Sequence, residues 1–178
     1  MARLIALLRA VNVGGRKLPM AELRPLCGEL GWTEVETYIQ SGNVVFTAAG
    51  KPEALEAALE KAIEDRFGFR SDVMVRSAAQ WRKVIEANPF PSESEAEPNR
   101  VLAGLSKSSL KRDAAGVLAA KAAAGERVAE AAGALWFHYP AGVGASKLTP
   151  SLIDRAAGSP VTARNWRTML KLKEMAEG

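Results

Sequence analysis

Glu34-Val-Glu-Thr-Tyr-Ile-Gln-Ser-Gly-Asn-Val-Val-Phe-Thr47 reads as two strands back to back. Residues 34–40 alternate, Ser41-Gly42 supplies a tight turn, and Asn43 to Thr47 returns. Working outward, residues 2–8 are apolar on both alternating sets, the pattern of a central strand covered on both faces. A loop from Arg9 to Lys17 follows, with Pro19 in the first turn of a helix. That helix carries the stripe Met20, Leu23, Leu26, Cys27 and Leu30, and runs out at Gly31. Beyond the hairpin, a second helix spans about 52–67, with Leu55, Ala58, Leu59, Ala62, Ile63 and Phe67 on its apolar stripe. Glu56, Glu60 and Glu64 are expected to face water. Asp72 to Arg76 is a fourth strand. The order strand, helix, strand, strand, helix, strand is ferredoxin-like. Right-handed crossovers then require the sheet order 4-1-3-2.

Ser77 with Gln80 forms a capping box that opens a third helix carrying Trp81, Val84 and Ile85. Residues 88–98 hold three prolines and three acids without periodicity, as a linker would. A second unit follows, with a strand at 100–105 and an Ala-rich helix within 108–122. A hairpin (127–131 and 134–139) turns at Ala132-Gly133. A short helix at 150–157, a short strand at Pro160-Val161 and a terminal helix at 163–176 complete it. The fold class expected is α+β: two ferredoxin-like (α-β plait) units packed together, the second less regular and with an extra C-terminal helix. Unit one is 1–76, the connecting helix and linker 77–98, and unit two 99–178. The doubly apolar first strand suggests that the units cover each other.

The chain has 178 residues, one cysteine and one histidine. Cys27 can make no internal disulfide, and Cys27 with His138 cannot complete a zinc site, so no metal is expected. A nucleophile–histidine enzyme would depend on His138 alone, and a lone strand histidine is more often packed than catalytic. No run approaches the length of a membrane helix, so no membrane partner is expected. A lone thiol and the absence of an export signal point to the cytoplasm. The net charge of +4 divides unevenly, −2 over residues 1–98 and +6 over 99–178.

Polar residues concentrate in three segments. With strand three between strands one and two, Arg9, Asn12, Gly14, Gly15, Arg16 and Lys17 should sit near Tyr38, Gln40, Ser41 and Asn43. That cluster has three cations and no acid. Two glycines let backbone N–H groups approach an anion, and the following helix N-terminus adds partial positive charge. It matches neither the Walker pattern nor GxGxxG. The competing reading is a turn needing positive φ with surface cations beside it. The second segment, Gly142-Val-Gly-Ala-Ser-Lys147, could cradle a phosphate through Ser146 and Lys147, or could be a plain glycine-rich connection. In the third, Thr162 is a candidate N-cap, and Arg164, Arg167 and Lys171 share one helical face, with Asn165 beside them.

The strings Leu8-Arg-Ala-Val-Asn-Val-Gly-Gly15, Pro19-Met-Ala-Glu-Leu23 and Tyr38-Ile-Gln-Ser-Gly-Asn-Val-Val-Phe46 resemble the bacterial family catalogued as domain of unknown function 1697. The stretches Gly142–Lys147 and Thr162–Thr168 match it too, so the resemblance spans essentially the whole chain. Ala10 departs from the family pattern, which usually has glycine there, and should stiffen that loop slightly. The resemblance implies two ferredoxin-like units and a cytosolic bacterial protein. It supplies no reaction, cofactor or catalytic residue.

Three functions compete. The first is binding, with or without turnover, of a small anionic ligand such as a nucleotide or phosphorylated metabolite. Its residues would be Arg9, Asn12, Gly14, Gly15, Lys17, Tyr38, Gln40, Ser41, Asn43, Ser146, Lys147, Arg164 and Asn165. The second is nucleic-acid binding through the basic second half. The third is a non-catalytic interaction or scaffold protein whose polar strings fix turns. Reaction, cofactor, ligand identity and oligomeric state are not legible in the residues.

Overall fold

The computed structural model describes residues 1–178. The chain divides into two compact units, Met1–Trp81 with Leu172–Gly178, and Arg82–Lys171.

The first unit contains β1 (Ala2–Leu8), α1 (Met20–Glu29), β2 (Thr33–Thr37), β3 (Asn43–Ala48), α2 (Pro52–Phe67) and β4 (Val73–Ser77). Its antiparallel sheet has the order β2-β3-β1-β4, as right-handed crossovers require. Leu4, Ala6 and Leu8 of β1 pack with Val44 and Phe46 of β3 against Leu23, Leu26 and Cys27 of α1 and Leu55, Leu59 and Ile63 of α2. Trp32 stacks on Phe46 at 3.8 Å between ring centroids. The other face of β1 is buried as well, with Ile5 and Leu7 fully inaccessible. Strand β2 is a short edge strand. Glu34 stands at φ +49°, and the β2–β3 register shifts between Thr33 and Glu36, a bulge that blunts the edge.

The second unit repeats the plan with β5 (Val101–Ser106), α5 (Ala114–Ala119), β6 (Arg127–Ala131), β7 (Ala134–His138), α6 (Pro150–Ala157) and β8 (Val161–Asn165). Its sheet order is β6-β7-β5-β8, the same permutation. Ala132 and Gly133 turn the β6–β7 hairpin with φ +51° and +74°, the paired left-handed geometry that suits strand twist. Leu118 of α5 and Ala157 of α6 pack on Leu135, Phe137 and Val161. The class is therefore α+β with two plait-like sheets. Two further helices, α3 (Ala78–Glu86) and α4 (Pro91–Ala96), lie between β4 and β5, and α7 (Trp166–Glu177) ends the chain.

The duplication extends to hydrogen bonds that no sequence similarity reveals. Arg9 N donates to Asp72 O, and Lys107 N donates to Pro160 O, both at 2.9 Å, each tying the residue after a first strand to the one before a fourth. A serine stands beside each tie. Ser71 Oγ donates to Arg9 O, and Ser159 Oγ accepts from Ser108 N. Strands β4 and β8 are sheet edges, and a carboxylate from the preceding helix caps each. Val73 N donates to Glu60 Oε2 at 3.0 Å, Val75 N to Glu56 Oε2 at 2.8 Å, and Val161 N to Asp154 Oδ1 at 2.9 Å. Glu56 and Glu60 thus do not face water as their helical position suggests. An edge strand has backbone donors with no strand to receive them, and Glu56 is 5% exposed in doing so.

Two other local expectations are corrected. The segment 88–98 is not structureless. Asn88 Oδ1 receives Phe90 N, Asn88 Nδ2 donates to Ser94 Oγ, and Pro91 opens α4, a helix too short to show a stripe. The Ala-rich helix falls at Ala114–Ala119, within the 108–122 expected. Thr162 is no N-cap, because β8 runs on through Asn165, whose Oδ1 accepts Thr168 N and caps α7. The Ser77–Gln80 box forms as read: Ser77 N donates to Gln80 Oε1 at 2.9 Å, and Gln80 N to Ser77 Oγ at 3.1 Å.

Candidate functional site

At the C-terminal end of β1 the chain makes a loop whose backbone is repeatedly left-handed. Ala10, Asn12, Gly14 and Gly15 have φ of +56°, +59°, +55° and +81°. Glycine is at ease there. Alanine is not, and the left-handed conformation costs an L-residue about 1–2 kcal/mol. A glycine at position 10 would relieve that strain, so Ala10 does more than stiffen the loop.

Asn12 organises this edge. Its Oδ1 accepts Leu18 N at 2.9 Å, while its Nδ2 donates to Leu18 O at 3.0 Å and to Gln40 O at 2.6 Å. One amide closes the β1–α1 loop on itself and ties it to the β2–β3 turn. Within the loop, Asn12 N donates to Arg16 O at 2.7 Å.

The facing turn is built the same way. Asn43 is fully buried, and its Nδ2 donates to Tyr38 O at 2.8 Å and Ser41 Oγ at 3.0 Å. Gly42 sits at φ +89°, and a Cβ there would lie 2.8 Å from both Leu8 Cβ and Val11 Cγ2. Only glycine lets the turn close on β1, where Leu8 N donates to Gly42 O at 2.8 Å. Ile39 stands at φ +51°, a costly position for a β-branched side chain. Strained non-glycine positions of this kind gather at functional sites and switch regions.

The structure brings Arg9, Asn12, Gly14, Gly15, Arg16 and Lys17 to the same sheet end as Tyr38, Gln40, Ser41 and Asn43, but one expectation about them is wrong. The cluster does contain an acid: Asp72 Oδ2 lies 3.9 Å from Arg9 Nη1. Sequence reasoning missed it, although the sheet order put β4 beside β1. Leu8 faces Val73, which carries Asp72 to Arg9. Arg16 lies over Phe69, 5.0 Å from guanidinium carbon to ring centroid. Lys17 is exposed and has no ion-pair partner. Glu22 occupies the first turn of α1, which lowers the appeal of that helix end for an anion.

In the second unit the remaining candidates turn inward. Ser146 Oγ donates to Glu126 Oε2 at 2.6 Å and accepts Leu148 N at 3.1 Å. The Ser146 hydroxyl, with backbone N–H groups, holds the Glu126 carboxyl below its ordinary range. A carboxylate at the centre of this loop opposes a phosphate cradle, and Lys147 alone is left exposed. Arg164 lies on β8, not on a helical face with Arg167 and Lys171. It is 8% exposed, and its Nη1 donates to Thr162 Oγ1 at 2.7 Å. Burial pulls its pKa down to about 10. Asn165 is spent on the α7 cap. His138 is buried beside Phe90, with Nε2 3.8 Å from Glu97 Oε1. No group of three or more His, Cys, Asp or Glu side chains is placed to hold a metal ion. No helix is long and apolar enough to cross a membrane.

Two sheets of identical strand order, each with its helices, define a protein built from duplicated plait-like units. The chain belongs to the family described as "Protein of unknown function (DUF1697)", whose model matches residues 1–136. Among solved structures, it is similar to the conserved bacterial protein SP0830 from Streptococcus pneumoniae, at 24% identity and TM-score 0.77 over 98% of each chain. At that identity the likeness shows the fold alone. No curated protein matches the chain.

Proposed function

We propose that the protein binds a small anionic ligand, a nucleotide or phosphorylated metabolite, at the sheet edge formed by residues 9–17 and 38–43. The observation that carries this reading is the three-bond clamp of Asn12 on Leu18 and Gln40. It holds a strained, glycine-bearing loop in one conformation before any ligand arrives, so little ordering entropy is lost on binding. Lys17 and the exposed backbone of Gly14 and Gly15 supply the donors. Arg9, already beside Asp72, adds a partly compensated charge.

Within the second unit, Ser146 is already turned to Glu126 and Arg164 is buried, so neither carries this reading. The test is a thermal-shift screen over pyrophosphate, nucleotides and sugar phosphates. Stabilisation by at least one of them, abolished in Lys17→Ala, is the expected result. If no anion raises the melting temperature, the reading fails.

A further inference from the structure

Three large hydrophobic side chains of the first unit are exposed, and two of them lie at this edge. Val13 is 56% and Ile39 49% exposed, the third being Met1 at the chain start. Each is the covalent neighbour of a residue in the Asn12 Nδ2–Gln40 O bond, so the 2.6 Å link places the two segments side by side. Ile39 is doubly unfavourable, holding an apolar side chain in water on a left-handed backbone. Tyr38 precedes it, half-buried, and exposed Lys17 lies on the loop with Val13. Exposed apolar side chains and an exposed cation are therefore carried on the same two hydrogen-bonded segments.

We infer that the ligand of this edge is a phosphate monoester with an apolar organic group, the phosphate on Lys17 and the organic part on Val13 and Ile39. The inference rests on the anion reading above and specifies its substrate class. The same chemistry could come from a soluble alkyl or aryl phosphate or from a phosphatidic acid headgroup in a bilayer.

The experiment titrates the full chain with inorganic phosphate, methyl phosphate and hexyl phosphate. Sedimentation with phosphatidylcholine vesicles, with and without phosphatidic acid, forms the second arm. Hexyl phosphate should bind about tenfold or more tighter than inorganic phosphate, equivalent to ~1.4 kcal/mol. Val13→Ser and Ile39→Asn should erase most of that gain and leave inorganic phosphate affinity unchanged. Asn tolerates the left-handed backbone, so Ile39→Asn keeps the fold intact. Sedimentation with phosphatidic acid vesicles would assign the ligand to the bilayer, and binding of the soluble ester alone would assign it to solution. Equal affinity for inorganic and hexyl phosphate, without sedimentation, overturns the apolar inference and spares the anion reading. Failure of every phosphate and vesicle to bind overturns both.

Discussion

The side-chain amide of Asn12 donates to the backbone carbonyl of Gln40 at 2.6 Å, across 28 residues of sequence. This bond joins two loops that β1 and β3, lying side by side, bring to one end of the first sheet. It explains how a segment with four left-handed residues stays ordered. Ala10 and Asn12 alone favour other conformations, and the amide's three hydrogen bonds offset the cost.

Asn12→Ala should therefore destabilise the chain by about 1–3 kcal/mol, because Leu18 N and two carbonyls lose their partner together. Urea denaturation measures it. On the binding proposal, the variant should also lose phosphate-dependent stabilisation even where it remains folded.

Gly42→Ala should be more damaging than a surface glycine replacement. The new Cβ meets Leu8 Cβ and Val11 Cγ2 at 2.8 Å on a backbone with φ +89°, so packing and strain act together. A loss of about 2–4 kcal/mol is expected, and thermal denaturation reads it. Gly14→Ala, with no neighbour within 4 Å of its Cβ, should lose only the conformational part.

Ala10→Gly should stabilise slightly. Relief of the left-handed strain, about 1–2 kcal/mol, outweighs the extra chain entropy of glycine, about 0.5–1 kcal/mol. An unchanged or lowered melting temperature would contradict this account of the loop.

Glu56 caps an edge strand from the helix above it. Glu56→Ala should leave Val75 N without its acceptor, lower stability by about 1–3 kcal/mol and speed amide exchange at Val75. Glu56→Gln, which keeps a carbonyl oxygen, should retain much of the protection.

Burial pushes the Cys27 thiol from 9.0 up to about 12. The unfolded chain ionises this thiol first, so its contribution to stability is complete below pH 9 and is lost as pH rises toward 12. The loss approaches about 1.4 kcal/mol per pH unit between those values. Tyr139, also raised to about 12 by burial, acts in the same direction. The diagnostic quantity is therefore the difference in slope between the native chain and Cys27→Ala. Native Cys27 should also resist thiol reagents at pH 8.

Much of this architecture is legible in local pattern. The doubly apolar run of residues 2–8, the stripe of α2 and the Ser41-Gly42 turn, with right-handed crossovers, lead to the first sheet order. The Ser77–Gln80 box could be read because both partners lie within one turn. Thr162 misled for the opposite reason. An N-cap residue type is equally at home in a strand, and pairing of Thr162 with Leu105 of β5 decided between them. Glu56 misled because helical periodicity gives the direction of a side chain but says nothing of an unpaired strand edge beneath it.

By itself, the sequence determined the order of the sheet strands and the helices that cross between them, the scarcity of thiol and imidazole, and the polar strings worth inspecting. These depend on residue type and short spacing. Only the tertiary structure decided which polar groups are already engaged: Asp72 beside Arg9, Glu126 on Ser146, Arg164 buried in β8. Such pairings join residues far apart in sequence, and their strength depends on distance and burial. At the 9–17/38–43 edge, folding assigned the Asn12 and Asn43 amides to the loops and left Lys17 exposed.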